Sequence, residues 1–484
     1  MDQPQTRLFR STRDLAHTAD GSGASEVCVG GRAHARHSHL RWVLRQPNGT
    51  GVIRLFGYVV AKVLRRTADE VTFDQDSFDS ALDHVPDGTL VIIAPSHRSY
   101  IDFLLCSFLF FARPDLGIAI PHIAAAEEFS KIPVLGWLFE KANAFFVKRG
   151  MRKKDYVELT ARVTELVRHK QTLQIFLEGT RSRARQFLAP RHGLLKCIQE
   201  TGQPATILPI AISYDRVTEE ASFLDELQGD PKPEMMLRAL TAWTTRMLRG
   251  QIKIGRVHIA CGTPIKLDKF DHLRSVTGAV MGQLQQKTVA TTFHLQSFLE
   301  HDPIEGADLD WLRAAIVERG GRVLDSECGA RGKPGDLLER CMRYQWMHVF
   351  YTEARTAFLE NPAVQHHIAR NGFLQTPAMS GEHFRSDPRI DDLLIRIFAP
   401  ICRDYALVAD SLGDPGDALD GITAVEIVRQ HPSAFLPDVE AAFEALVSQR
   451  ILGHGEARGT YRWSRRADDI YAFRRGCELP VASV

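Results

Sequence analysis

Leu90-Val91-Ile92-Ile93-Ala94-Pro95-Ser96-His97-Arg98-Ser99-Tyr100-Ile101-Asp102-Phe103 decides how this 484-residue chain is read. Its apolar opening reads as a buried strand. A polar turn carrying a base and a carboxylate follows, and then an apolar helix start. Residues five apart on a regular helix point about 140° from each other, so His97 and Asp102 cannot share one helical face. His97 therefore belongs to the turn, and Asp102 to the first turn of the helix. From there the carboxylate can bond one imidazole nitrogen, fix the tautomer and leave the other nitrogen as a base. An isolated pair at this spacing is most often a plain polar turn, so its weight comes from what surrounds it.

Three more apolar runs end in polar or cationic turns. Gln174-Ile175-Phe176-Leu177-Glu178-Gly179-Thr180-Arg181-Ser182-Arg183 is the second. Gly179 allows a positive φ or a close backbone approach, and Arg181 can fork two hydrogen bonds onto a phosphate. Asn143-Ala144-Phe145-Phe146-Val147-Lys148-Arg149-Gly150 ends in cations, and Ile207-Leu208-Pro209-Ile210-Ala211-Ile212-Ser213-Tyr214 is the fourth. Strands are expected at 90–94, 117–124, 145–148, 173–176, 207–214 and 257–261, with helices from about 102 and over 154–169. Alternation of this kind predicts an α/β sheet with helices on both faces, and chemistry is expected where its strands exit.

Taken in order, the four segments resemble the four blocks of the glycerol-3-phosphate and dihydroxyacetone-phosphate acyltransferases, the glycerolipid acyltransferases with a His-x4-Asp motif. The stretches Pro95-Ser96-His97-Arg98-Ser99-Tyr100-Ile101-Asp102-Phe103 and Phe176-Leu177-Glu178-Gly179-Thr180-Arg181-Ser182-Arg183 carry most of the likeness, which covers about residues 85–270. Asn143 stands where the second block usually has a glycine. The resemblance implies a glycerolipid acyltransferase-type mixed sheet flanked by helices. It implies transfer of a fatty acyl group from a thioester, acyl-CoA or acyl-carrier protein, onto the sn-1 hydroxyl of glycerol 3-phosphate in phospholipid biosynthesis. It also implies roles: His97 as base, Asp102 as its orienter, Arg149 and Arg181 as phosphate ligands with Lys148 beside them. Glu178, Gly179 and Thr180 would shape the site, and Pro209 matches the fourth block. Dihydroxyacetone phosphate is the alternative acceptor. A non-catalytic lipid or acyl-carrier binding protein is a further alternative, against which an intact His97 and Asp102 speak, since a binder needs no base.

Charge points to an anionic substrate independently. The chain is nearly neutral, with 60 Lys+Arg against 59 Asp+Glu. Yet residues 145–196 hold 13 Lys+Arg and four Asp+Glu, a local excess that focuses potential on one region. No nucleic-acid recognition motif accompanies it, so nucleic acid is not expected as a partner. Eight scattered cysteines form no Cys-x2-Cys pair, which suits reduced thiols rather than a disulfide frame or a zinc site. No nucleophile elbow, Walker loop, His-Glu-x2-His motif or dinucleotide fingerprint is present. Direct attack by the acceptor hydroxyl is therefore expected, with no metal or bound cofactor, and with amides near the helix start steadying the oxyanion.

Residues 1–50 read as a flexible polar leader without a secretory signal. Residues 51–84 read as a helical lead-in. No apolar run approaches the roughly 20 residues that span a bilayer. The segment 52–64 reads as an amphipathic helix able to lie on a membrane with anionic lipid, placing Leu55, Val59 and Val63 on one face. A cytoplasmic protein, peripheral on the cytoplasmic face of a membrane, is expected. The catalytic domain is placed at 85–270 and a mainly helical C-terminal domain at 271–484. The latter is expected to end in a helix over 439–449 and a strand-like pair at 460–463 and 469–473, in the manner of a winged helix. Acids at the start of that helix (Asp438, Glu440, Glu444) favour a structural cap over DNA binding.

Overall fold

Apolar runs bounded by Gly, Pro and polar turns become the strands of a mixed sheet. The computed structural model describes residues 7–11, 51–131, 135–148, 153–232, 237–326, 335–373, 387–416, 419, 422–455 and 460–479. It contains two compact units: Met1–Ser182, Pro190–Thr218 and Glu234–Thr288 make the first, and Arg183–Ala189, Glu219–Pro233 and Val289–Val484 the second.

The first unit begins with β1 (Arg7–Ser11), then α1 (Gly51–Thr67), β2 (Ala68–Phe73) and α2 (Gln75–Leu82). Next come β3 (Leu90–Pro95), α3 (Asp102–Ala112), β4 (His122–Ala126), α4 (Leu135–Lys141) and β5 (Ala144–Val147). The chain continues with α5 (Lys153–Arg168), β6 (Leu173–Gln174), α6 (Gly193–Glu200) and β7 (Ala205–Tyr214). It closes with α7 (Leu237–Leu248), β8 (Gly255–Cys261), β9 (Ile265–Leu267) and α8 (Leu273–Lys287). The strand order is β1-β2-β8-β7-β3-β6-β4-β5, with β9 also on β7. From β7 to β5 all neighbours are parallel, whereas β8 and β9 run antiparallel to β7. Central strands covered on both faces should be continuously apolar, and all ten residues of β7 are buried, as are Ile92, Ile93 and Ala94 of β3.

Pro209 is an unusual residue for a central strand, because it brings no N–H to the ladder. It pairs with Ala94 of β3 across one edge, and its carbonyl accepts from Gly262 N at 2.8 Å on the other. That other edge is where the neighbour changes from β9 to β8, so the missing donor falls at a break in pairing. Asn143, at the glycine position of the second block, has φ +68°. Asn is the residue that best replaces Gly in the left-handed region.

Several expected boundaries move. Residues 1–50 contribute strand β1 within the expected leader; the rest of that stretch lies outside the described residues. The lead-in is not all helix: β2 interrupts it, because Ala68, Val71 and Phe73 bury themselves beside β8. The strand expected at 117–124 begins only at His122. Gly117 is left-handed at φ +66°, and Pro121 cannot donate to a ladder. Residues 469–473 are not a strand but the start of a short helix, Ile470–Gly476, which buries Ile470 and Phe473 three apart.

The second unit is mainly helical. Its principal helices are α9 (Thr292–His301), α10 (Leu309–Glu318), α11 (Asp336–Arg343), α12 (Pro362–Asn371), α13 (Pro388–Ser411) and α14 (Leu436–Ser448). Trp346, Phe350, Phe398, Tyr405, Phe435 and Phe443 fill its core. Inside it, Arg340 Nη2 donates to both Asp404 and Asp438 at 2.7 Å. A hairpin of β10 (Leu452–His454) and β11 (Tyr461–Trp463) follows α14.

Candidate active site

The chain leaves β3 at Pro95, turns through residues 96–101, and enters α3 at Asp102. Asp102 is fully buried, and its carboxylate organises the turn. Oδ2 accepts the amides of Arg98 (2.6 Å) and Ser99 (2.8 Å) and meets His97 Nδ1 at 3.0 Å. Oδ1 accepts the hydroxyl of Tyr214 at 2.5 Å. A buried carboxylate is tolerable only when donors replace its water, and four do so here. With Nδ1 against a carboxylate, the proton sits on Nδ1 and the lone pair on Nε2. The ring is held flat against Phe176, centroids 4.0 Å apart at 26°, with 16% of the His97 side chain exposed.

The segment after β6 closes over this turn. Glu178, also buried, accepts the His97 amide at 2.9 Å, and each of its oxygens accepts Arg98 Nη1 at 2.9 Å. Ser182 N donates to His97 O at 2.9 Å. Arg181 is buried, its guanidinium 3.3 Å from the ring centre of Tyr100, a stacking that a planar cation makes well. Gly179 has φ +67°, and a Cβ there would lie 2.9 Å from Arg191 Cγ. Thr180 beside it is half-buried. The two blocks are thus joined by Glu178 and by the backbone of residue 97. The worth of the Arg98–Glu178 ion pair lies in register, since burying two charges costs about as much as their attraction returns.

The other sequence-marked residues lie elsewhere. Lys148, at the exit of the outer strand β5, is exposed and bonds Asp155 at 2.7 Å, with Glu127 at 3.7 Å. The bond to Asp155 raises its pKa. Arg149 lies outside the described residues. Pro209 sits inside the sheet beside Ala94 rather than at the turn. Three amides of the turn before the helix are already engaged: those of Arg98 and Ser99 by Asp102, and that of Ile101 by Ser99 Oγ. Arg98, Tyr100, Phe176 and Tyr214 were not singled out by sequence reasoning. Arg98 carried a signal, a cation directly after His97, but the partners of Tyr214 and Phe176 become visible only once β7 and β6 flank β3.

A narrow apolar cavity of about 50 Å³ runs between α1, α3, α4 and β4, lined among others by Phe56, Gly57, Phe103, Phe108, Phe111 and Phe139. Phe103, the residue after Asp102, is part of its lining. Among the described residues no cluster of three or more His, Cys, Asp or Glu could hold a metal ion, and no helix is long and apolar enough to cross a membrane.

Residues 79–213 match the family model described as Acyltransferase. The chain is 32% identical over 241 residues to the dihydroxyacetone phosphate acyltransferase of Bos taurus, covering 48% of this chain and 34% of that protein. It is 31% identical over 256 residues to the glycerol-3-phosphate acyltransferase of Xylella fastidiosa (strain 9a5c), covering 51% of this chain and 28% of that one. The chain therefore spans about a third of the length of the curated relatives it matches. Among solved structures, the 1-acyl-sn-glycerophosphate (LPA) acyltransferase PlsC from Thermotoga maritima is 19% identical, covers 51% of this chain and 78% of its own, and has a TM-score of 0.28.

Proposed function

With an acyltransferase domain at residues 79–213, we propose that the protein acylates the sn-1 hydroxyl of glycerol 3-phosphate from a fatty acyl thioester, for phospholipid synthesis. The observation that carries this reading is the His97–Asp102 pair, with Nδ1 bound to a saturated, buried carboxylate and Nε2 left as the base. In the proposed step the acceptor oxygen attacks the thioester carbonyl as Nε2 takes its proton. The C–S bond then breaks, and the imidazolium returns the proton to the departing thiolate. Arg181, with Arg149, holds the acceptor phosphate and so sets the distance from hydroxyl to Nε2, while Lys148, engaged by Asp155 at the exit of β5, adds positive charge at a distance. Glu178, Gly179 and Thr180 shape the turn that presents Arg181. The apolar side chains around Phe103 suit a short stretch of the acyl chain of acyl-CoA or acyl-carrier protein. Leu55 and Val59 of α1 and Trp137 of α4, all exposed, are proposed to rest on an anionic membrane surface on its cytoplasmic side.

The ketone acceptor is the second reading, because relatives of similar identity are named for dihydroxyacetone phosphate. One assay decides: purified protein, one acyl thioester, and the two acceptors in parallel. A kcat/KM at least tenfold higher for glycerol 3-phosphate supports the first reading, and the reverse ratio replaces it with the second. Product with neither acceptor defeats both.

A further inference from the structure

Tyr214 closes strand β7, and its hydroxyl reaches across to the carboxylate oxygen of Asp102 that His97 does not use. Resting on the acyl-transfer reading above, we infer that Tyr214 is a positioning residue of the reaction, acting on His97 through Asp102.

The geometry sets out why one more bond matters. Asp102 Oδ2 is pinned by the two amides of residues 98 and 99 and by His97 Nδ1. A carboxylate held at one oxygen can still rock about its Cβ–Cγ bond, and rocking tips the lone pair out of the imidazole plane. Tyr214 holds the second oxygen, so the plane of the carboxylate is fixed as well as its place. The hydroxyl is itself delivered by rigid structure: Tyr214 is 2% exposed and pairs with Val257 of β8. Catalytic geometry is held best by groups seated on such elements.

Two further bonds show that the end of β7 braces the whole turn. Ile212 N donates to Ser96 Oγ at 2.9 Å, and Ser99 Oγ lies 3.0 Å from Thr218 Oγ1. Of these three ties only that of Tyr214 touches the carboxylate, and this separates positioning from plain support. A brace would act through stability and through binding of both substrates. A positioning residue acts on turnover.

The test is steady-state kinetics of the full chain carrying Tyr214→Phe, which removes the hydroxyl and keeps the ring. Turnover is expected to fall about tenfold, a fraction of what general-base catalysis as a whole contributes, with both KM values within about twofold of wild type. Ser96→Ala, which loosens the turn without touching Asp102, should leave kcat within about twofold. The Tyr214→Phe penalty should shrink to about twofold in an Asp102→Ala background, where no carboxylate is left for the hydroxyl to hold, since coupled residues are not additive. Unchanged kcat in Tyr214→Phe, or equal losses in Tyr214→Phe and Ser96→Ala, overturns the inference. If Tyr214→Phe keeps full turnover while His97→Ala is dead, only this inference falls. A wild-type protein that acylates neither acceptor removes the reading beneath it.

Discussion

At the level of single residues, the dyad is built to survive loss of charge without loss of shape. Asn at position 102 can still offer its oxygen to the two amides and to His97, and turn its NH2 toward Tyr214, whose hydroxyl can accept as well as donate. Asp102→Asn should therefore fold normally and still lose most turnover, because a neutral amide steadies the imidazolium poorly. His97→Ala removes the base itself, and kcat should drop by about 10²–10⁴ or more. Circular dichroism and urea midpoints close to wild type, together with that loss, support the mechanism; a well-folded His97→Ala protein with substantial activity ends it. Arg181 is tested differently. Exchanging it for Ala should raise KM for the phosphorylated acceptor about tenfold or more, since a charge-assisted bond contributes roughly 1.5–3 kcal/mol. KM for the thioester should stay within about twofold, and a change confined to the thioester would place the cation on the donor instead. The pairing of His97 with Asp102 was legible because five-residue spacing rules out a shared helix face. The bond from Tyr214 was not, because 112 residues of chain separate it from Asp102.

Among the elements, α1 shows how far periodicity carries and where it stops. Helical spacing placed Leu55, Val59 and Val63 on one face, but the helix buries Val63 at 9% exposure and leaves Leu55 and Val59 at 54% and 38%. Each step of four residues drifts about 40° around the helix, so Val63 stands about 80° from Leu55, enough to turn the far end of such a stripe inward. Trp137, 57% exposed on α4, is a better third member, and no pattern over so short a helix could have announced it. The triple change Leu55→Ser, Val59→Ser and Trp137→Ser should release the protein from vesicles containing anionic lipid while kcat on a soluble thioester is unchanged. Co-sedimentation of the triple variant at wild-type levels would remove α1 and α4 from the membrane contact. Strands β3 and β7 could be read directly, since a strand buried on both faces is a continuous apolar run. Strand β2 could not: Asp69, Glu70 and Thr72 interrupt its apolar positions, and pairing with β1 and β8 on its two edges makes a strand of it.

For the molecule as a whole, acid should act first on the helical unit. Burial lowers the pKa of His366 and of His367, each to about 4. A histidine depressed in the folded state binds its proton more readily when unfolded, so its share of stability is full above the ordinary value of about 6.5. That share is lost as pH falls from about 6.5 toward 4, by up to roughly 1.4 kcal/mol per pH unit for each group. Asp404, which burial pushes up to about 6, runs in the opposite direction, so the difference between variants is the clean measurement. The urea midpoints of wild type and His367→Gln should converge as the pH drops across that window; a constant gap would show that His367 does not titrate there. The order in which the ribosome makes this chain gives the division into units another meaning. Residues 183–189 and 219–233 interrupt the first unit yet belong to the second. Arg185 and Gln186, only four and five residues past Arg181, are buried against Gln345 and Asp438. These partners emerge more than 150 residues later, so the turn after β6 that carries Glu178 and Arg181 is complete long before the segment that follows it has anywhere to settle. Acyl-transfer competence should therefore be a late event of synthesis, and a product ending at Thr288 should be insoluble or inactive even though every proposed catalytic residue is already in it.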